Sequence, residues 1–473
     1  MHADTDRFYL FLAEGHIFVI AGFLLAVLLV INILRQKGTP SGMSAWILII
    51  IFAPYIGVPL YLIFHGRKLR RIIDTKKTAQ LLEAHYSSVA NTHPIDLMLR
   101  GYDIPGACGD NQIDFLTTGD ETYHRLVELI SKAKYSIYIA TYVFKNDKVG
   151  RALIKLLAER AEAGIEVKIL VDRFGSWALR FWTMRPIIKS GGAVELFMPM
   201  IRMPFRGRTN LRNHRKIAVF DGETVWTGGA NLAAEYLGPG EDPKQWVELS
   251  YIIQGPAVEI YLEIFRSDWE FATLKHDQFE PRSFQQRQQL FPKVRQNILQ
   301  VVPSGPDVAG DPLYHALLAA TFYAQKKLWI MTPYFIPDEL LLTALSMAAR
   351  RKIDITIIVP KRSNHLLADF ARTTYLVELA KLGVNVLCLE GRMLHAKALL
   401  MDDQLTIVGS ANIDARSLLL NFEVATISYD QQSIATLDHW MQSIAQKCVH
   451  YETHLNPLYL FISNSTRLIA PVL

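Results

Sequence analysis

The hydrophobic pattern changes character once along the chain. Ile17 to Leu34 is an apolar run broken only by Asn32, and Ala45 to Phe64 is a second with no charge. Each is about long enough to cross ~30 Å of hydrocarbon as a helix. The connector from Arg35 to Ser44 carries Arg35 and Lys37, while many more cations follow Phe64. That asymmetry puts the downstream flank and the N-terminus in the cytoplasm and the connector outside. A cleavable signal peptide fits poorly, because Met1 to Asp6 is acidic and a second apolar run follows at once. Pro54 and Pro59 keep a re-entrant or interfacial hairpin open as the alternative to two spans.

From about Asn111 the pattern becomes one of short strands and amphipathic helices. Tyr135 to Phe144 reads as a strand, Val149 to Ala163 as a helix stopped by Gly164, and Ile165 to Val171 as a strand. The order returns in Lys327 to Phe335, Glu339 to Arg350 and Ile353 to Val359. Thr141 and Thr332 correspond at an offset of 191, His214 and His395 at 181, so loop lengths have drifted. Alternating strands and helices predict an α/β fold with parallel or mixed sheets. The expected layout is a membrane hairpin at 1–66, a basic connector at 67–110, lobes at 111–274 and 311–473, and a polar linker at 275–310.

At 473 residues the chain exceeds the usual single core, and half of it is hydrophobic. The net charge of +5 is unevenly spread. Basic residues gather at Arg67, Lys68, Arg70, Arg71, Lys76 and Lys77, and again at Arg202, Arg206, Arg208, Arg212 and Arg215. Such runs are either solvated faces or attractors of anionic lipid or nucleic acid. The three cysteines, Cys108, Cys388 and Cys448, have no metal-ligand spacing. A disulfide framework or zinc site is not expected, and buried thiols suit a cytoplasmic catalytic domain.

The chemistry lies in a motif present twice. His214-Arg-Lys216 with Asp221 leads to Gly228-Gly229-Ala-Asn231. His395-Ala-Lys397 with Asp402 leads to Gly409-Ser410-Ala-Asn412. In both, the lysine follows the histidine by two residues, the aspartate by seven and the asparagine by seventeen. The apolar stretches after each lysine read as strands, on which residues two apart share a face. One isolated histidine would be a structural residue; two equal pairs argue otherwise. Lysine is a poor metal ligand and carboxylates are not grouped, so a metal-free phosphate site is favoured. Lys216 and Lys397 neutralise phosphoryl oxygens, Asn231 and Asn412 donate amide hydrogen bonds, Gly229 permits close approach and Ser410 adds a hydroxyl. Two imidazoles at one phosphorus suit double displacement: one attacks, the other moves the proton. Each attacking imidazole needs a carboxylate behind it. Glu248 is assigned to His214, and Glu423 to His395. Asp221 and Asp402, at strand ends before turns, are expected to fix turns or interlobe contacts.

These motifs resemble the paired HxKx4D signatures of the phospholipase D superfamily, from Asn111 to the C-terminus. Pro54 to Leu62, Thr332 to Phe335, and Ser410 to Ser417 running into Leu420-Asn-Phe-Glu423 are similar to bacterial cardiolipin synthases. The resemblance implies two lobes related by a pseudo-two-fold, the site between them, and no cofactor. It implies transfer of a phosphatidyl group between two phosphatidylglycerols, giving cardiolipin and glycerol, at the bacterial inner membrane. It also implies His214 as nucleophile and His395 as acid and base. Arg416 follows only the second motif and is assigned to the acceptor's phosphate. Phe197 to Phe205 reads either as a buried strand and loop or, as the favoured alternative, as an element dipping into the bilayer, with Met200 and Phe205 as its test positions. A phospholipase D-type hydrolase or a nuclease would use the same site. A nuclease has little use for the hairpin, so nucleic acid is not an expected partner, and intact motifs argue against a non-catalytic scaffold.

Overall fold

The computed structural model describes residues 22–35, 40–64, 93–177, 179, 181–197, 211–274, 297–453 and 456–467. The basic cluster at 67–77, and Met200 and Phe205, lie outside them. The chain divides into two compact units, Met1–Ile73 with Met200–Asn210, and Asp74–Pro199 with Leu211–Leu473.

In the first unit, residues 22–34 are helical, and the second apolar run forms two helices, Pro40–Phe52 and Pro54–Phe64. Ala53 breaks them apart because Pro54 disfavours helical geometry in the residue before it. An added Cβ at Gly57 would lie 2.7 Å from the Ile49 carbonyl group, so glycine permits the close return of the chain. Leu29, Ile33, Ile50 and Tyr61 form a small core, and Asn32 Nδ2 donates to the Tyr61 hydroxyl at 3.0 Å. Phe23, Leu28, Phe52 and Tyr55 are exposed. Among the described residues no helix is long and apolar enough to cross a membrane. The apolar run at 45–64, expected as one span, is thus two shorter helices.

Among the described residues, the second unit is built on one fifteen-stranded mixed sheet. Its first half contains β1 (Cys108–Leu116), β2 (Ser136–Thr141), β3 (Glu166–Asp172), β4 (Ala193–Phe197), β5 (Ile217–Phe220), β6 (Thr224–Gly228) and β7 (Ser250–Gln254). The second contains β8 (Asn297–Ser304), β9 (Lys327–Met331), β11 (Asp354–Pro360), β12 (Asn385–Leu389), β13 (Ala398–Met401), β14 (Leu405–Gly409), β16 (Glu423–Ser428) and β17 (Cys448–His450). Two short strands, β10 (Phe335–Ile336) and β15 (Ile413–Asp414), pair with each other in parallel. The order in one half is β1-β7-β6-β5-β2-β3-β4, and in the other β8-β16-β14-β13-β9-β11-β12, with β17 at the edge. β1 and β8 pair antiparallel and join the halves.

Strands β2 and β3 pair in parallel because the helix Lys148–Glu162 carries the chain back between them. Asp147 caps that helix by accepting from Val149 N and Gly150 N, and Gly164 leaves it at φ +85°. The helix Glu339–Arg350 plays the same part between β9 and β11. Each half has its own apolar core: Leu126, Ile139, Leu157 and Trp226 in the first; Leu317, Ile330, Ile357 and Leu376 in the second. Two stretches read as connecting chain contribute to the sheet unit. Ile95 and Leu99, on the helix Pro94–Arg100, join the second core, and β8 occupies residues inside the expected linker. Unbroken burial from Leu299 to Ser304, between β1 and β16, explains that strand better than the surrounding polar composition.

Candidate active site

Both motifs approach their strands in extended conformation, and β5 and β13 begin one residue past Lys216 and Lys397. The two approaches are anchored across the halves. His214 N donates to Phe422 O, and Phe422 N to Arg212 O, both at 2.9 Å. His395 N donates to Val247 O, and Val247 N to Met393 O, both at 2.8 Å. Each pairing sets the residue after its partner beside the histidine.

The glutamates are therefore exchanged. His214 Nδ1 donates to Glu423, 3.0 Å from Oε2, and His395 Nδ1 contacts Glu248 Oε2. The assignment of each glutamate to its own lobe's histidine is corrected by these bridges, because spacing along one lobe says nothing of which strand ends meet. All four side chains are buried. With the carboxylates on Nδ1, the Nε2 atoms face the lysines and the site, and Lys397 Nζ lies 3.3 Å from Nε2 of His395.

Lys216 Nζ donates to His214 O at 2.7 Å. Lys397 Nζ lies 2.6 Å from His395 Nδ1 and 3.7 Å from Glu248 Oε2. The charges of the two halves act on one another: Lys397 on His214, and Lys216 on His395. Burial holds the His214 imidazole below its ordinary pKa and lowers His395 to about 3, so both stay neutral. Burial also lowers Lys216 to about 7 and Lys397 to about 8. Burial alone would raise Glu248, but the Lys397 ammonium and the hydrogen bond from His395 hold it at about 2. Glu423 is likewise held down against burial by His214 and Lys216.

The two pairs differ in their support. Ser410 Oγ donates to Glu423 Oε2 and accepts from Val424 N at 3.0 Å. The matching residue, Gly229, lies flush against Glu248, where an added Cβ would strike the carboxylate. Glu248 instead accepts from Leu249 N at 2.9 Å. Asn231 Oδ1 accepts from Val143 N at 3.1 Å, and Asn412 Nδ2 donates to Ser417 Oγ at 3.2 Å. Both asparagines are thus tied to neighbouring turns. Arg416 is half-buried, within electrostatic reach of Tyr142 and Arg212.

Asp221 and Asp402 do not join this cluster. Asp221 accepts from the backbone N of Lys134, Tyr135 and Ser136, and Asp402 from that of Gln325, Lys326 and Lys327. Both have left-handed backbones, φ 55° and 48°. Each ties the turn after its motif strand to the start of β2 or β9 in its own half. Of the two expected structural roles, these bonds supply the turn and not the interlobe contact, and main-chain donors saturating the carboxylates leave Asp221 and Asp402 out of the catalytic set.

Sequence reading missed Arg215. Grouped with a surface-type basic cluster, it is fully buried and ties both halves. It donates to Asp268 Oδ1 at 2.8 Å, Glu423 O at 3.0 Å, Ser304 O at 3.2 Å and Asp307 Oδ1 at 3.3 Å. The available signal was its place between His214 and Lys216, where the second motif has Ala396. Aromatic walls were missed too. Tyr142 meets the His214 ring edge-on at 4.9 Å, and Tyr236 and Trp246 lie 5.2 Å from that of His395.

A mixed α/β sheet carrying two exchanged His–Glu pairs with flanking lysines defines a phospholipase D-like protein. The family model described as cardiolipin synthase, PLD-like domain, matches residues 126–269 and 317–445, and that of the phospholipase D-nuclease N-terminal region matches 24–65. The chain is 33% identical to the major cardiolipin synthase of Bacillus subtilis over 95% of its length and 98% of that protein's. It is 32% identical to a cardiolipin synthase of Listeria welshimeri, over 88% and 91%. The crystal structure of phosphatidylserine synthase from Haemophilus influenzae shares the fold, with a TM-score of 0.59 at 19% identity over 76% of this chain and 95% of that one. This chain belongs to the cardiolipin synthase family of phospholipase D-like proteins.

Proposed function

We propose that the protein joins two phosphatidylglycerols into cardiolipin and glycerol through a phosphohistidine. The observation that carries this reading is the exchanged pair, in which each imidazole has a carboxylate on Nδ1, and the reading gives the chemistry to Nε2. His214 Nε2 attacks phosphorus of the donor lipid. The P–O bond to the glycerol headgroup breaks, and His395 Nε2–H gives that oxygen its proton. A hydroxyl of the second lipid then attacks phosphorus, returns a proton to His395 and releases His214. For the first step His395 must enter protonated; a bound phosphodiester, by its negative charge, favours that state. Lys216 and Lys397 hold the phosphoryl oxygens and offset their charge. Gly229 gives Glu248 its space and Ser410 steadies Glu423. Asn231 and Asn412 shape the turns beside the site, and Arg416 takes the acceptor's phosphate.

The matching strand order of the halves supports a pseudo-two-fold between them. The apolar helices near the N-terminus support a hairpin in the bacterial inner membrane, with the catalytic unit on the cytoplasmic side. The test is incubation of purified protein with phosphatidylglycerol. Cardiolipin with equimolar glycerol is the expected outcome, abolished in His214→Ala and His395→Ala. Phosphatidic acid as the sole lipid product would instead make the protein a hydrolase. Arg416→Ala is expected to raise KM for lipid more than it slows phosphoenzyme formation.

A further inference from the structure

The catalytic unit has two apolar, cationic tips, each following a strand of the same rank in its half. The chain after β3 exposes Phe174, Trp177 and Trp182, at 50%, 74% and 60% of their surface. From Arg173 to Val194 it carries Arg173, Arg180, Arg185 and Lys189 and no acidic residue. Arg173, Arg185 and Lys189 are exposed with the aromatics. The chain after β11 exposes Leu366 and Leu367, at 69% and 49%, beside exposed Arg362 and an exposed Lys361 that pairs with Glu390. β3 and β11 both stand second from the end of their seven-strand order.

The first tip is fixed to the reaction site. Asp172 accepts from Phe174 N and Gly175 N at 2.9 and 3.1 Å, and from Asn213 N, next to His214, at 3.0 Å. The Arg212 guanidinium lies 4.8 Å from the Phe174 ring centre. Ser176 Oγ donates to Tyr142 O and accepts from Phe144 N, both at 3.0 Å, and Tyr142 is the residue against the His214 ring. In the second tip Asn364 Oδ1 accepts from the Tyr334 hydroxyl at 2.5 Å, and Tyr334 is within electrostatic reach of Tyr142.

We propose that these two tips seat the catalytic unit itself in an anionic phospholipid bilayer, so that lipid enters the site without leaving the membrane. Exposed tryptophans among cations, with no acidic residue between them, match the boundary of headgroups and acyl chains. The excess positive charge of the first tip matches an anionic leaflet, and the second tip adds Arg362 and its two leucines. A protein partner would need complementary acidic groups and an apolar pocket for each tryptophan; a bilayer needs only depth. The proposal rests on the lipid reaction assigned above.

The test uses the full chain with two forms of one substrate: vesicles of phosphatidylglycerol, and dihexanoyl phosphatidylglycerol below its micelle concentration. Trp177→Ala/Trp182→Ala and Leu366→Ser/Leu367→Ser should each lower vesicle turnover roughly tenfold or more while leaving the short-chain rate unchanged. Trp177→Phe/Trp182→Phe should keep vesicle turnover. Vesicles of brominated phosphatidylglycerol should quench the wild type more than the Phe variant, which isolates the two tryptophans. Equal quenching, or undiminished vesicle turnover in both sets of variants, overturns the proposal. Wild-type protein that makes no cardiolipin from either form would sink the assigned reaction, while the quenching difference would still decide the surface.

Discussion

At the residue scale the exchanged glutamates assign each carboxylate to the other half's chemistry. Glu423→Gln should slow phosphoenzyme formation on His214. Glu248→Gln should slow glycerol departure and acceptor attack through His395. Rapid-quench measurement of the phosphohistidine separates the steps; equal loss of the same step in both variants would refute the division. Lys216 offers a pH test. Burial lowers it to about 7, so its charge is lost as pH rises past that value in free enzyme. KM for phosphatidylglycerol should therefore climb above pH 7 while kcat changes less, and Lys216→Arg should flatten the climb. The reactive types and their spacing were legible in the sequence because chemistry fixes them locally. The pairing of Glu423 with His214 was not, because it follows from 2.9 Å backbone bridges between segments some two hundred residues apart.

At the scale of elements, the motif aspartates act as turn locks. Each gathers three successive main-chain N–H groups onto one carboxylate from a left-handed residue. Asp221→Ala leaves those donors without their acceptor and should cost about 1–3 kcal/mol. Asp221→Asn should retain part of the stability. Urea midpoints check both, and residual folded Asp221→Ala protein should keep its kcat, since the carboxylate touches no reacting group. Helices and strands in the second unit followed the apolar periodicity closely, as at Glu339–Arg350. The break at Ala53 was signalled by Pro54, but its size depended on how near Gly57 could return to Ile49. β8 was hidden because the polar chain around it dominated the composition of that stretch.

At the scale of the whole molecule, Arg215 sits where the halves meet. Its guanidinium bonds to Asp268 of one half and to Asp307, Ser304 and Glu423 of the other. Arg215→Ala would strand two buried carboxylates and should cost about 3–5 kcal/mol, read as a lowered urea midpoint. The phosphoenzyme step should suffer beyond that loss, because Glu423 loses its backbone anchor behind His214. Ala396→Ser, at the matching place, should leave both measurements near wild type.

The exchange of glutamates also has the logic of an isologous contact, in which what one partner offers is what it receives. A single half would hold a histidine without its carboxylate and a carboxylate without its histidine. It could fill both vacancies only by meeting a copy of itself. Fusion into one chain removes that dependence on concentration, and it leaves each half free to diverge, as Ser410 opposite Gly229 and Arg215 opposite Ala396 already have.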